Sequence, residues 1–349
     1  MALLKSLQLF PFARVKAMLV IMPLASTVRF LNNIAAPSRI ALLVITSCTL
    51  ADGQVRLSQS GDHIGISIDG KPFTDFYIGA AYPKPYLFPL KTSSGLVVTR
   101  SFPMNIVEGE SRDHPHHRGL FVGYGDINGV NFWENENSYT TENRGRIVIR
   151  RIIDLKDGKK EGIVKTLFEW HDPGGANLME ENRTITFYSE PTRRTIDFDI
   201  VFTAKIALRW ADTKEGFFAI RVADSIAEKN GGKMVNSEGA SGEKDVWGKQ
   251  AKWVDYSGLV GGQPAGIAIL VHPSNPRYPP RWHARAYGLF AVNPWGLKDF
   301  VEDKNAKDGG VAMVPGDTIQ VRYRVIIHSS DITPLNLPDL YREYLKKVK

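Results

Sequence analysis

DHIGISIDGKPFTDFYIG, residues 62–79, sets Ile64, Ile66 and Ile68 at alternate positions, stops at Asp69-Gly70, and resumes in a second alternating run. A period of two places side chains on opposite faces of a strand, and Asp-Gly supplies the left-handed backbone that a tight hairpin turn needs. The stretch therefore reads as a β-hairpin. Downstream, RIVIRRIIDLKDGKKEGIVKTLFEWHD (146–172) repeats the design around Lys156-Asp157-Gly158. NRTITFYS and RRTIDFDIVFTA continue the meander, the latter with Ile196, Phe198, Ile200 and Phe202 on one face. AGIAILVH, YGLFAVN and VPGDTIQVRYRVIIH supply further runs, for roughly a dozen or more strands in all. Two segments read as helical, Gly216 to Ala223 and LPDLYREYLKKV at the C-terminus, the second with Pro338 at its start and basic residues in its last turn. No repeat with a period of some 20–50 residues is present. Many strands without alternating helices predict an all-β fold, a large antiparallel sandwich of two sheets with a short C-terminal helix. Residues 52–349 are expected to form one domain, with 230–242 and 303–310 as exposed loops.

The first 51 residues read as an export segment. SRIALLVITSC (38–48) gives a basic residue, a short apolar run and Ile45-Thr46-Ser47-Cys48, which resembles the lipobox of bacterial lipoproteins. Cys48 is the chain's only cysteine, so the mature domain would rest on its core and hold no disulfide. The alternative is cleavage after Ala51 by an ordinary signal peptidase. Either route predicts a periplasmic or outer-membrane-anchored protein, with Cys48 as its single link to a membrane. The charge pattern agrees. Net charge is +7, but Lys5, Arg14, Lys16, Arg29 and Arg39 precede residue 48, where no acid occurs, and 7 − 5 leaves +2. Acids and bases then intersperse without a basic stripe, which argues against nucleic acid as a partner.

Chemistry concentrates in three segments. RDHPHHRGLF (112–121) gathers His114, His116 and His117 with Arg112, Asp113 and Arg118 between two strand-like runs. If extended, it would turn His114 and His116 to one side, as a pair of metal ligands or proton carriers, and His117 to the other; histidines that merely cap backbone groups are the structural alternative. TKEGFFAIRVA flanks an apolar run with Glu215 and Arg221. VNSEGASGEKDVWGKQAKWVDYSG mixes Glu238, Asp245, Trp247 and Lys249, a composition suited to a sugar, with aromatic faces on C–H bonds and polar groups on hydroxyls. A proline-rich stretch, 272–296, adds His272, Arg277 and His283 on a rigid backbone. The expected proton carriers are His114, His116 and His117 with Glu215 or Glu238. Arg100, Arg118, Asp245, Trp247, Lys249, His272, Arg277 and His283 are the expected binding residues, all on one sheet face. The chain has no Gly-x-Ser-x-Gly elbow, P-loop or Gly-x-Gly-x-x-Gly motif, which leaves acid–base or metal-assisted chemistry.

Taken together, SRDHPHHRGLFVGYGDINGVNFW, KPYLFPLKTSSGLVVTRSFP, VNSEG, DVWGKQAKWVDYSG and HPSNPRYPPRWHARAYGLFAVNPWG resemble the bacterial PmoA-like family over about residues 54–345. That label refers to a methane monooxygenase subunit, a multi-span membrane protein, whereas residues after 51 hold no run near the roughly 20 apolar residues a membrane helix needs. The resemblance implies an exported protein of polysaccharide-degrading bacteria. VPGDTIQVRYRVIIH is similar to the Pro-Gly-acid strand entry of galactose-mutarotase-like sandwiches, which implies a supersandwich. The function expected is carbohydrate-active: a hydrolase, lyase or epimerase acting on a sugar or other small polar ligand, needing no cofactor or one divalent metal held by histidine. The alternatives are a non-catalytic glycan-binding lipoprotein and a His-ligated metal-dependent oxygenase.

Overall fold

The structure is a computed structural model that describes residues 54–329, except 302 and 304, and residues 336–347. The expected export segment, Cys48 included, lies outside the described residues.

Two antiparallel eight-stranded sheets form a sandwich. With strands numbered in chain order, sheet 1 runs β1 (Val55–Ser60), β2 (His63–Ile68), β3 (Lys71–Tyr77), β4 (Tyr86–Phe88), β5 (Leu120–Tyr124), β11 (Gly216–Arg221), β16 (Leu289–Asn293) and β15 (Arg281–Ala284). Sheet 2 runs β12 (Lys233–Asn236), β13 (Trp253–Val260), β14 (Gln263–Val271), β18 (Thr318–His328), β9 (Arg193–Ala204), β8 (Asn177–Tyr188), β7 (Glu161–His171) and β6 (Arg146–Lys156). A ribbon of β10 (Leu208–Trp210) and β17 (Val311–Met313) stands apart, and the helices are α1 (Glu243–Val246) and α2 (Leu337–Lys347).

Local sequence explains the pairings. Ile68 faces Lys71 across Asp69 (φ 54°) and Gly70 (φ 74°), the two positive-φ positions that a tight hairpin turn requires. Ile196, Phe198, Ile200 and Phe202 of β9 are all buried and face sheet 1, with Phe198 edge-on to Phe218 at 4.9 Å between ring centres. Each such side chain contributes about 1.5–3 kcal/mol on leaving water. Gly216–Arg221 is a strand and not the expected helix: GFFAIR is buried at every position, and a short apolar run reads alike as buried helix or buried strand. The expected loop 230–242 likewise contains β12, paired to β13.

Two features of sheet 2 matter later. Glu181 and Arg183 of β8 take core-facing positions, with Trp170 Nε1 donating to Glu181 Oε2 at 2.8 Å, Arg183 Nε to Oε1 at 2.5 Å, and the guanidinium 5.0 Å from the Phe168 ring centre. At the sheet edge, β6 slips register between Ile149 and Arg151 and again between Ile152 and Asp154.

The outer faces are covered differently. On sheet 2, α2 lays Leu337, Leu340, Tyr341 and Tyr344 over Trp253, Leu270 and Ile326. On sheet 1, Phe121, Ala219, Leu289 and Ala291 lie under Tyr86, Phe88 and Trp133, so β5, β11 and β16 are buried on both faces. Part of the cover here is loop, and the loop 112–119 beside it carries the histidines.

Candidate functional site

The histidine loop is shaped by what flanks it. Gly119 has φ +51°, and a Cβ there would sit 2.2 Å from the Leu87 carbonyl oxygen, so only glycine lets the loop enter β5 this close to β4. Before it, a tight turn closes with His117 N donating to the His114 carbonyl at 3.0 Å, and His114 itself adopts φ 43°. That conformation is costly for a residue with a Cβ and persists only where surroundings enforce it. Buried Arg100 does so: it donates to the carbonyls of Phe102 (3.2 Å), Asp113 (2.7 Å) and His114 (2.9 Å) and to the Asp113 carboxylate.

Because the loop turns, the three imidazoles do not alternate as an extended segment would make them. They cluster. His114 stacks on His117 (centres 4.9 Å apart, planes 3° apart) and on Tyr287 (4.9 Å, 7°), while His116 meets His117 edge-on at 4.2 Å. His116 Nδ1 lies 2.6 Å from the Tyr139 hydroxyl, and His117 Nδ1 accepts from Arg221 Nη1 at 3.3 Å, since guanidinium can only donate. Both rings are buried, and burial followed by neighbouring positive charge pushes His116 down to about 2 and His117 well below the ordinary imidazole range.

His114 is the exposed member, with 41% of its side chain accessible. Its Nδ1 lies 3.4 Å from Asp113 Oδ2, while Asp113 Oδ1 receives Arg100 and, at 2.6 Å, Arg221 Nη2. Burial works against ionising Asp113, but Arg221 and Arg100 outweigh it and hold the carboxyl below its usual range. His114 is itself shifted down, chiefly by burial. The result is a neutral imidazole whose orientation is fixed by a carboxylate that two buried arginines fix in turn. This arrangement suits a general base.

Further along the same face lies Glu215, whose carboxylate is 4.0 Å from His283 Nδ1. Burial raises its pKa and pushes His283 down to about 3. Glu215 also acts on Tyr287, which burial raises to about 12, so phenol and carboxyl share one electrostatic neighbourhood. On the other side, Tyr77 stacks on Tyr86 at 4.8 Å and Tyr82 meets both edge-on.

The remaining expected residues fall in several places. Arg118 grips Glu136 through two 2.7 Å hydrogen bonds, 5.2 Å from the Tyr86 ring centre. Asp245, Trp247 and Lys249 lie in or just after α1. Four expectations are corrected. Arg100 is fully buried and gives four of its five donors to the loop backbone and Asp113, so it does not reach a ligand. Arg277 holds the carbonyls of Gly309 and Gly310 with its two terminal nitrogens, a structural role. His272, beyond the end of β14, packs against Tyr344 of α2, on the cover of sheet 2, so one face does not hold every expected residue. Glu238 follows β12 on the sheet 2 edge, exposed, accepting from Ser237 Oγ at 2.8 Å.

Sequence reasoning missed Tyr287, Tyr139 and Lys84. Lys84, in the Pro-flanked PKP, is fully buried: it donates to the Trp133 carbonyl (2.6 Å) and Asn135 Oδ1 (2.7 Å), and burial lowers it to about 7. A divalent metal does not fit here. The rings stack instead of converging, their Nδ1 atoms face Asp113, Tyr139 and Arg221, and among the described residues no group of three or more His, Cys, Asp or Glu could hold an ion.

Residues 63–342 match a family model described as a family of unknown function, DUF6807. The chain belongs to the DUF6807 family. That description names no activity and makes no mention of PmoA. No curated protein matches the chain. Among solved structures, a galactose mutarotase-like protein from Clostridium acetobutylicum is 11% identical, with TM-score 0.35, over 79% of this chain and 98% of its own. An alpha-galactosidase from Lactobacillus brevis is 10% identical, with TM-score 0.39, over 80% of this chain and 40% of its own. A GH36 alpha-galactosidase from Geobacillus stearothermophilus is 10% identical, with TM-score 0.36, over 80% and 41%. The chain thus spans about two fifths of the length of these alpha-galactosidases, and at such identities an activity does not transfer.

Proposed function

We propose that this is an exported carbohydrate-active enzyme that moves protons on a sugar bound to the outer face of sheet 1. The observation that carries the proposal is the accessible His114, held by Asp113 and stacked on Tyr287, on the same face as Glu215. In this reading the half-buried Tyr287, Tyr77 and Tyr82 present ring surface to a sugar. His114 takes a proton as the general base, and Glu215, its pKa raised by burial, donates one as the general acid. Such a pair serves elimination, epimerisation or hydrolysis alike. Cys48 provides the lipid anchor, and a mature N-terminus beginning at Asp52 in mass spectrometry would rule that anchor out.

A panel of glycans and keto-sugars, scored for binding and for product, tests the reading. On the substrate it yields, His114→Ala and Glu215→Gln should each lose roughly 10²–10⁴-fold in turnover with affinity largely kept. Full activity in both variants refutes the assignment. A second reading, a glycan-binding lipoprotein without catalysis, takes the half-buried Tyr77 and Tyr82 as its platform, and for it the panel would show binding and no product.

A further inference from the structure

On β15, Trp282 and Ala284 belong to the core between the sheets, so Arg281 and His283 project from the outer face of sheet 1. From His283 that face continues over Phe300, ring centres 6.2 Å apart, to Trp247, a further 5.2 Å on. Trp247 and Phe300 with Lys244, Lys249, Arg281 and Val301 line a concavity of about 320 Å³. Among its described lining residues the charges are one-sided. Among the described residues no ion pair engages Lys244, Lys249 or Arg281, and Arg281 makes only a 2.6 Å hydrogen bond to the Gly248 carbonyl. The nearby Glu243 is taken by Arg285 at 3.0 Å, and Asp245, exposed on the same short helix, pairs with none of the three.

We infer that this concavity receives the anionic group of an acidic sugar unit, a uronate carboxylate or a sulfate ester, in a glycan whose neighbouring unit lies over Tyr287 and His114. The inference rests on reading the outer face of sheet 1 as sugar-binding. Three cations that no described carboxylate pairs attract one compact anion, and the edge-on Trp247–Phe300 pair supplies the apolar wall against which a pyranose ring packs. Glu215 and His283 lie between the two subsites, so the unit anchored by its charge adjoins the one whose protons move.

The test titrates the full protein with an oligogalacturonate and a sulfated galactan oligosaccharide, each beside its neutral counterpart, carboxyl-reduced or desulfated. At low salt, at least one acidic ligand should bind roughly tenfold more tightly than its neutral counterpart. That preference should vanish in the Lys244→Gln/Lys249→Gln variant, whose changes are at the surface, and at about 1 M salt. Preference for only one of the two assigns carboxylate or sulfate. Equal binding of acidic and neutral forms, or a preference that survives in the variant, overturns the inference while leaving the face a sugar site. Binding of neither form overturns both.

Discussion

Two networks of arginine and carboxylate are built into this sandwich, and they end differently. Glu181 and Arg183 close on each other and on Trp170 between the sheets, with neither side chain more than 1% exposed. Asp113 is held by two arginines as deeply buried, Arg100 and Arg221, but it is itself 37% exposed and hands its second oxygen to His114. A closed network can only fix the core. An open one transmits the rigidity of the core to a side chain that water, and a ligand, can reach. The contrast teaches that a buried charge marks a site only when the chain of hydrogen bonds leads out to the surface.

The contrast can be broken from the closed side first. Glu181→Gln leaves Arg183 buried without its counter-charge and should cost about 3–5 kcal/mol, measured by denaturant unfolding. Replacing both partners with apolar residues of similar size should recover most of that loss. If the single variant unfolds like the parent, the closed network is not structural. On the open side, Asp113→Asn keeps the shape and weakens two charge-assisted hydrogen bonds, for a smaller loss of about 1.5–3 kcal/mol. Its larger effect should be on turnover, because His114 loses its orienting partner. A variant destabilised as much as Glu181→Gln, with activity intact, would invert the assignment of the two networks.

Acidity separates them last. His116 is neutral in the folded protein, with a pKa near 2, whereas an unfolded histidine titrates near 6.5. The unfolded chain therefore binds the extra proton as pH falls below about 6.5, and stability drops with it. Between pH 7 and pH 5 the loss for this one residue comes to about 2 kcal/mol. Thermal unfolding at the two pH values reads it, and His116→Gln should flatten the slope; an unchanged slope would mean that the imidazole is not held neutral.

These networks also mark where sequence reading succeeds and where it stops. The alternation of Ile196 to Phe202 and the turn at Asp69-Gly70 state their structure locally, because period and turn chemistry need no distant partner. GFFAIR does not, since only pairing with β5 and β16 decides that it is a strand. The histidine loop was recognisable by composition, and Glu215 by its company. The division of labour within the loop was not. It depends on Arg221, Tyr287 and Lys84, which lie between 30 and 173 positions away in the chain, and on a turn at His114 that an extended reading misses. Arg100 and Arg277 misled for the same reason: an arginine's partners are set by tertiary structure, and here backbone carbonyls take most of the bonds the two make.

The register slips of β6 have a consequence for the molecule in company. An outermost strand offers unpaired amide and carbonyl groups to any other chain that can lie alongside it. Two bulges in eleven residues, with Arg150, Arg151 and Lys156 along the strand, bend that edge and charge it, so a second chain finds no straight ladder to extend. What looks like imperfect pairing inside one molecule makes that edge a poor template for another strand.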